Sequence, residues 1–259
     1  MIHLPALSGA PRAHGLDPAA AMQRAGLWAV QEATSLARAG FEGLILENFG
    51  DTPFYKSSVP PETIACMSVV AAAVRESTRL PIGINVLRND ARAALAIASV
   101  TGCQFIRVNV LSGVTAADQG LIEGDAAFLL RERDRLQSEI RILADVHVKH
   151  ALSLSSHDLA LAVEETALRS GADGVIISGS ATGRSVDLEH LKIAAEAAKA
   201  HRIPLFIGSG ATSDTASELR RFADGIIVGS ALRKAGKAGA PLDPSRVKSF
   251  IKAFRSTRR

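Results

Sequence analysis

The chain has 259 residues, 47% of them hydrophobic and 22% charged, with a formal net charge of +4 and two cysteines. That length suits one (β/α)8 domain spanning residues 1–259, and the composition is that of an ordinary α/β enzyme. No apolar run approaches the ~20 residues that span a bilayer. Without a basic n-region or an apolar h-region before the first strand, a signal peptide is not expected, and no basic stretch carries the aromatic pattern of a nucleic-acid binder.

In chain order, the apolar runs predict strands over Ile2–Ala6, Gly43–Leu46, Ile82–Val86, Phe105–Val110, Ile142–Val148, Val175–Ser178, Leu205–Gly208 and Ile226–Gly229. Helical spacing fills the intervals: Pro18–Ala39, Pro61–Arg79, Ala91–Thr101, Asp125–Glu139, Asp158–Ser170, Asp187–His201, Ser213–Phe222 and Asp243–Arg258. Strand followed by helix, repeated to the end of the chain, predicts a TIM barrel of the phosphate-binding type. Two connections exceed what a crossover needs, Asn48–Pro60 and Leu111–Gly124. Both are read as lids over the C-terminal ends of the strands.

Cys66 and Cys103 stand far apart without a CxxC pattern, the usage of a reduced cytoplasm, so a zinc or disulfide scaffold is not expected. The basic excess at the end of the chain, Lys248, Lys252, Arg255, Arg258 and Arg259, reads as a solvated tail. The stripe of Val247, Phe250, Ile251 and Phe254 is what a barrel-closing helix requires. That use of the helix is preferred over peripheral contact with a membrane.

Polar residues interrupt the apolar runs near their C-terminal ends: His3, Glu47-Asn48, Asn85, Arg107 and Asn109, then Asp145, His147 and Lys149 on alternate positions, then Ser178. Alternation along a strand turns the last three to one side, with Lys149 nearest the mouth. Burial of unpaired ionisable groups is costly. Either Asp145, His147, Lys149, Arg107 and Glu47 neutralise one another structurally, or they serve a site at the catalytic face. Lys149, His147, Asp145 and Glu47 are the candidate catalytic groups. Lys149 acts either as a base or imine nucleophile or as a fixed cation. His3, Asn85, Arg107, Asn109, Ser178, Thr182 and Gly183 are candidate substrate contacts. Glu47, Asp145 and His147 have the chemistry of a divalent-metal set but lack HxH or HExxH spacing, and no organic cofactor is expected.

Gly208-Ser209-Gly210-Ala211 after the seventh strand and Gly229-Ser230 after the eighth are the candidate phosphate loops. Glycine lets backbone approach an anion, and helix starts expected near Ser213 and Ser230 would add free N–H groups. Leu232–Ala235 fits the short extra helix of such barrels. Gly179–Ser185 lacks the glycine spacing and the lysine of an ATP-binding loop and is kept as a substrate contact.

These residues resemble a known family. Ile2–Leu7, the Glu47–Phe54 stretch ENFGDTPF, Asp118–Gly124, the Asp145–Ala151 stretch DVHVKHA and the closing GSGAT and VGSALR are similar to the BtpA/SgcQ family through nearly the whole chain. The resemblance implies a phosphate-binding TIM barrel. It also brings a name tied to photosystem I biogenesis, with relatives in non-photosynthetic organisms and beside sugar-metabolism functions.

Two functions follow as expectations. The first is a cytoplasmic enzyme, of lyase, aldolase, isomerase or transferase type, acting on a phosphorylated sugar-like or nucleotide-derived small molecule. The second is a non-catalytic assembly factor. A homo-oligomer is compatible with either, and nucleic acid is not an expected partner.

Overall fold

The computed structural model describes residues 1–147, 151–155, 158–178 and 187–256. Its strands are β1 (Ile2–His3), β2 (Leu44–Glu47), β3 (Ile82–Asn85), β4 (Phe105–Val108), β5 (Val114–Ala117), β6 (Gly120–Glu123), β7 (Arg141–Val146), β8 (Ala151–Ser153), β9 (Gly174–Ile177), β10 (Leu205–Ile207) and β11 (Gly225–Ile226). Its α-helices are α1 (Pro18–Ala39), α2 (Pro61–Ser77), α3 (Ala91–Thr101), α4 (Ala126–Arg135), α5 (Leu159–Glu164), α6 (Leu188–Ala200), α7 (Ala216–Leu219) and α8 (Pro244–Ser256). The chain divides into two compact units, residues 1–107 with 132–140, and residues 108–131 with 141–259.

In the first unit, β1, β2, β3 and β4 lie side by side and parallel. The helices between them are bounded by local chemistry. Asp17 caps α1 by accepting hydrogen bonds from the Ala19 and Ala20 N–H groups, Pro18 opens it, and Gly40 closes it in the left-handed conformation. Asp90 and Gly102 bound α3 in the same way. Ala21, Ala25, Ala29, Ala33 and Leu36 form the fully buried stripe of α1, a helical repeat of mostly small residues that admits close packing.

In the second unit, β7, β9, β10 and β11 are parallel neighbours in that order. β6, β5 and β8 form a separate antiparallel sheet, with Ala116 opposite both Leu121 and Leu152. Its inner face places Ile122 on Val110. In α8, Val247, Phe250 and Ile251 are buried while Lys248, Lys252 and Arg255 face solvent, as the apolar stripe requires. Arg220 places its guanidinium 4.5 Å from the Phe254 ring centre and donates to the Phe254 carbonyl at 2.7 Å, tying α7 to α8.

Several strands and helices are shorter than the sequence reading, and other departures change the local structure. Residues 111–124 are not an open loop but contain the β5–β6 hairpin. The fifth main strand ends at Val146 rather than Val148, because His147 takes a left-handed φ of 52°. The helix read over Asp158–Ser170 is α5 followed by a π-helical turn, Glu165–Arg169. The helix read from Ser213 starts only at Ala216, since the Thr215 hydroxyl accepts the Thr212 N–H at 3.0 Å and closes a turn there. The extra helix read over Leu232–Ala235 is a pair of 3-10 turns, Ser230–Leu232 and Lys234–Gly236.

Candidate functional site

The first unit carries a buried polar row. His3 stands opposite Glu47, Glu47 opposite Asn85, and the register of Ile84 with Ile106 brings Arg107 next to Asn85. Opposed residues of parallel strands share a face, so these side chains project together at the C-terminal ends. All are buried. His3 Nε2 lies 3.6 Å from Glu47 Oε1, and the imidazole packs on the Phe49 ring at 4.5 Å. Trp28 Nε1–H donates to the His3 carbonyl at 3.1 Å, which fixes the backbone behind the ring. Asn85 Nδ2 donates to the Arg107 carbonyl at 3.1 Å.

The connection after β2 folds over these strand ends. Asn48 accepts the Leu87 N–H at 2.7 Å, and Asp51 accepts the Leu7 N–H at 2.8 Å and Asn48 Nδ2–H at 3.1 Å. Asp90 accepts the Val59 N–H at 2.8 Å, while the Arg88 N–H reaches the Tyr55 carbonyl at 3.0 Å. The segment is thus bonded to the loops after β1 and β3. Burial pushes the Asp51 carboxyl above the usual carboxylate range, against the two hydrogen bonds that favour its charge.

The second unit centres on Asp145 at the end of β7. Asn109 Nδ2 donates to Asp145 Oδ2 at 2.9 Å, and Ser178 Oγ donates to Oδ1 at 3.3 Å. Both carboxylate oxygens therefore receive a hydrogen bond. His147 leaves the strand and is exposed, so alternation with Asp145 does not extend to it. Lys149, Thr182 and Gly183 lie outside the described residues.

The Gly208 N–H bonds the Ile177 carbonyl at 2.8 Å, so the loop after β10 begins beside the end of β9. Gly210 has a φ of 82°, which favours glycine. Among the described residues, the backbone N–H groups of Ser209, Gly210, Ala211, Gly229, Ser230 and Ala231 make no hydrogen bond. The Ser209 hydroxyl, in a residue 9% exposed, also has none. These donors stand at the ends of two neighbouring strands, β10 and β11. With α7 only a single turn long, the loop N–H groups rather than a helix dipole are what these loops offer an anion.

A polar cavity of about 230 Å³ adjoins Asp145, Asn109 and His147. Among the described residues, no group of three or more His, Cys, Asp or Glu side chains is placed to hold a metal ion, and no helix is long and apolar enough to cross a membrane. Sequence reasoning missed Thr115, Thr166 and Ser170, which line the cavity. It also missed the bracing set of Asp51 and Asp90; the Asn-x-x-Asp spacing of Asn48 and Asp51 within a long loop was the available signal.

Residues 1–256 match the model of the BtpA family. The chain belongs to the BtpA family. It is 51% identical over 226 residues to the "Photosystem I biogenesis protein BtpA" of Synechocystis, covering 87% of this chain and 78% of that protein. It is 42% identical to an uncharacterized protein of Pyrococcus horikoshii, covering 100% and 95%. To a mitochondrial uncharacterized protein of Caenorhabditis elegans it is 34% identical, covering 100% and 93%. Among solved structures, thiamine phosphate pyrophosphorylase from Pyrococcus furiosus aligns with a TM-score of 0.58 at 14% identity, covering 88% of this chain and 89% of that one. Phosphoribosyl anthranilate isomerase from Thermus thermophilus aligns with 0.58 at 11%, covering 88% and 95%. This BtpA family chain has the TIM-barrel fold, and these structural neighbours are named for phosphorylated small molecules.

Proposed function

We propose that this BtpA family protein is an enzyme acting on a phosphorylated small molecule, sugar-like or nucleotide-derived. The observation that carries the reading is the set of unbonded N–H groups at Ser209–Ala211 and Gly229–Ala231. Buried or half-buried backbone donors left without partners are uncommon in folded proteins, and a phosphate offers several acceptor oxygens at once. Such loops at the ends of the last two barrel strands are where (β/α)8 enzymes hold a phosphate.

With the phosphate held there, Asp145 is the proton acceptor. Asn109 and Ser178 fix the orientation of its carboxylate beside the cavity. Lys149, His147 and Glu47 are further acid/base or imine-forming candidates, and the reaction is of lyase, isomerase or transferase type. His3, Asn85, Arg107, Thr182 and Gly183 are candidate substrate contacts. Assembly-factor function, as named for the Synechocystis relative, does not call for buried ionisable groups at strand ends.

The test is incubation of the intact protein with a panel of phosphorylated metabolites, followed by phosphorus NMR and mass spectrometry. Turnover that falls at least a hundredfold in Asp145→Asn is expected. Turnover that Asp145→Asn leaves intact removes Asp145 from the chemistry, and its complete absence across the panel favours the assembly reading.

A further inference from the structure

The cavity beside Asp145 has no role in holding the phosphate, yet its walls are unusual. Thr115, Thr166 and Ser170 are each more than nine-tenths buried and face this space. None of their hydroxyls makes a hydrogen bond among the described residues. None of the three is sealed off from the cavity, so each hydroxyl can bond what enters it. Thr166 lies within the π-helical turn Glu165–Arg169, where Ser170 N–H bonds the Glu165 carbonyl at 2.9 Å. Such wide turns are frequent at functional sites.

We propose that this cavity is the subsite for the polyhydroxylated part of the ligand, a five- or six-carbon sugar or polyol. The inference rests on the phosphate reading above and narrows its substrate class. The wall chemistry selects the ligand. An apolar group would leave the three hydroxyls without partners, and a second anionic group would meet two carboxylates, Asp145 and Glu165, against the single guanidinium of Arg169. Sugar hydroxyls donate to those carboxylates and accept from the wall hydroxyls and Arg169. The volume of about 230 Å³ corresponds to several waters at ~30 Å³ each, the scale of one monosaccharide.

The spacing agrees. Asp145 is on β7, β9 is its neighbour, and Gly208 follows β10, the next strand. Neighbouring strands stand ~4.8 Å apart, so the phosphate loop begins roughly 10 Å from the end of β7. A sugar monophosphate spans that interval with its phosphate on Ser209–Ala211 and its hydroxyls in the cavity.

The experiment is calorimetric titration of the full chain with inorganic phosphate, with ribose, and with a panel of pentose and hexose monophosphates. Wild type is compared with Thr115→Val/Thr166→Val, which removes two hydroxyls at nearly constant volume, and thermal melting confirms that the variant is folded. At least one sugar phosphate is expected to bind tenfold or more tightly than inorganic phosphate. The double variant is expected to lose that advantage while binding inorganic phosphate as wild type does. The inference is overturned if no sugar phosphate exceeds inorganic phosphate, or if the advantage survives in the double variant. Failure of inorganic phosphate itself to bind counts against the phosphate reading. The cavity is then judged on ribose: binding abolished by the double variant upholds the subsite, and no binding overturns it.

Discussion

Asn109 and Asp145 are joined by a 2.9 Å hydrogen bond between two buried side chains, the amide following β4 and the carboxylate near the end of β7. A buried carboxylate that loses a donor loses a charge-assisted hydrogen bond. Asn109→Leu should therefore destabilise the protein by about 1.5–3 kcal/mol, the range for hydrogen bonds to charged groups. Urea unfolding of the variant measures it, and a change below a few tenths would mean that the pair contributes little.

The titration of Asp51 has a defined sign. Burial holds its carboxyl above the usual 3.8 in the folded protein, so folding favours the protonated form. Its contribution is fully present below the unfolded value and is lost as pH rises through the raised folded value. Relative to Asp51→Asn, the wild type should lose stability as pH rises from about 4 toward neutrality. Denaturant titrations of both proteins at several pH values give the difference directly, and a difference that grows in the wild type's favour contradicts the assignment.

Both thiols should be slow nucleophiles. Burial pushes Cys66 and Cys103 up. The Asp51 and Glu62 carboxylates push Cys66 further, while the hydrogen bond from Thr101 opposes the rise at Cys103. Since the thiolate is the reactive form, alkylation at pH 7.5 should be at least tenfold slower than in the urea-unfolded chain, a difference that mass spectrometry can follow at each cysteine (~7.5 being below an ordinary thiol pKa).

Much of the fold was legible because long apolar runs alternate with capped helices, as at Asp17-Pro18 to Gly40. The hairpin of β5 and β6 was not. Its strands are four residues each and are joined through Asp118-Gln119 rather than Asn-Gly or Asp-Gly, so the turn gives no sharp signal. The π turn at Glu165–Arg169 keeps helix-forming residues throughout, and nothing in its composition marks the wider turn. At the candidate site, the glycines of the phosphate loops and the polar strand ends were visible as residue types. The unbonded N–H groups of Ser209–Ala211 are a property of the hydrogen-bond network, which spacing cannot reveal. His147 shows the limit of alternation: the rule holds only while the strand lasts, and β7 ends one residue earlier.

Gly124 offers a test of the hairpin. A side chain there would overlap the backbone of Leu111 and Ser112, and its own N–H bonds the Gly113 carbonyl at 2.9 Å at the base of the hairpin. Gly124→Ala should cost about 1–3 kcal/mol through overpacking against backbone that cannot yield. Limited proteolysis should then cut within residues 111–124 faster than in wild type, and an unchanged cleavage pattern and melting temperature would show that the base is loose.

The most direct measurement is the binding of inorganic phosphate to the intact chain, by calorimetry, in wild type, Gly210→Val and Gly229→Val. Gly210 adopts a left-handed φ that valine resists, and both glycines carry the unbonded donors. Saturable binding in the wild type is predicted, weakened at least tenfold in each variant, or ~1.4 kcal/mol and more, with melting showing both variants folded. Absence of saturable binding in the wild type, or binding that neither substitution alters, would contradict the assignment of these loops as the phosphate site.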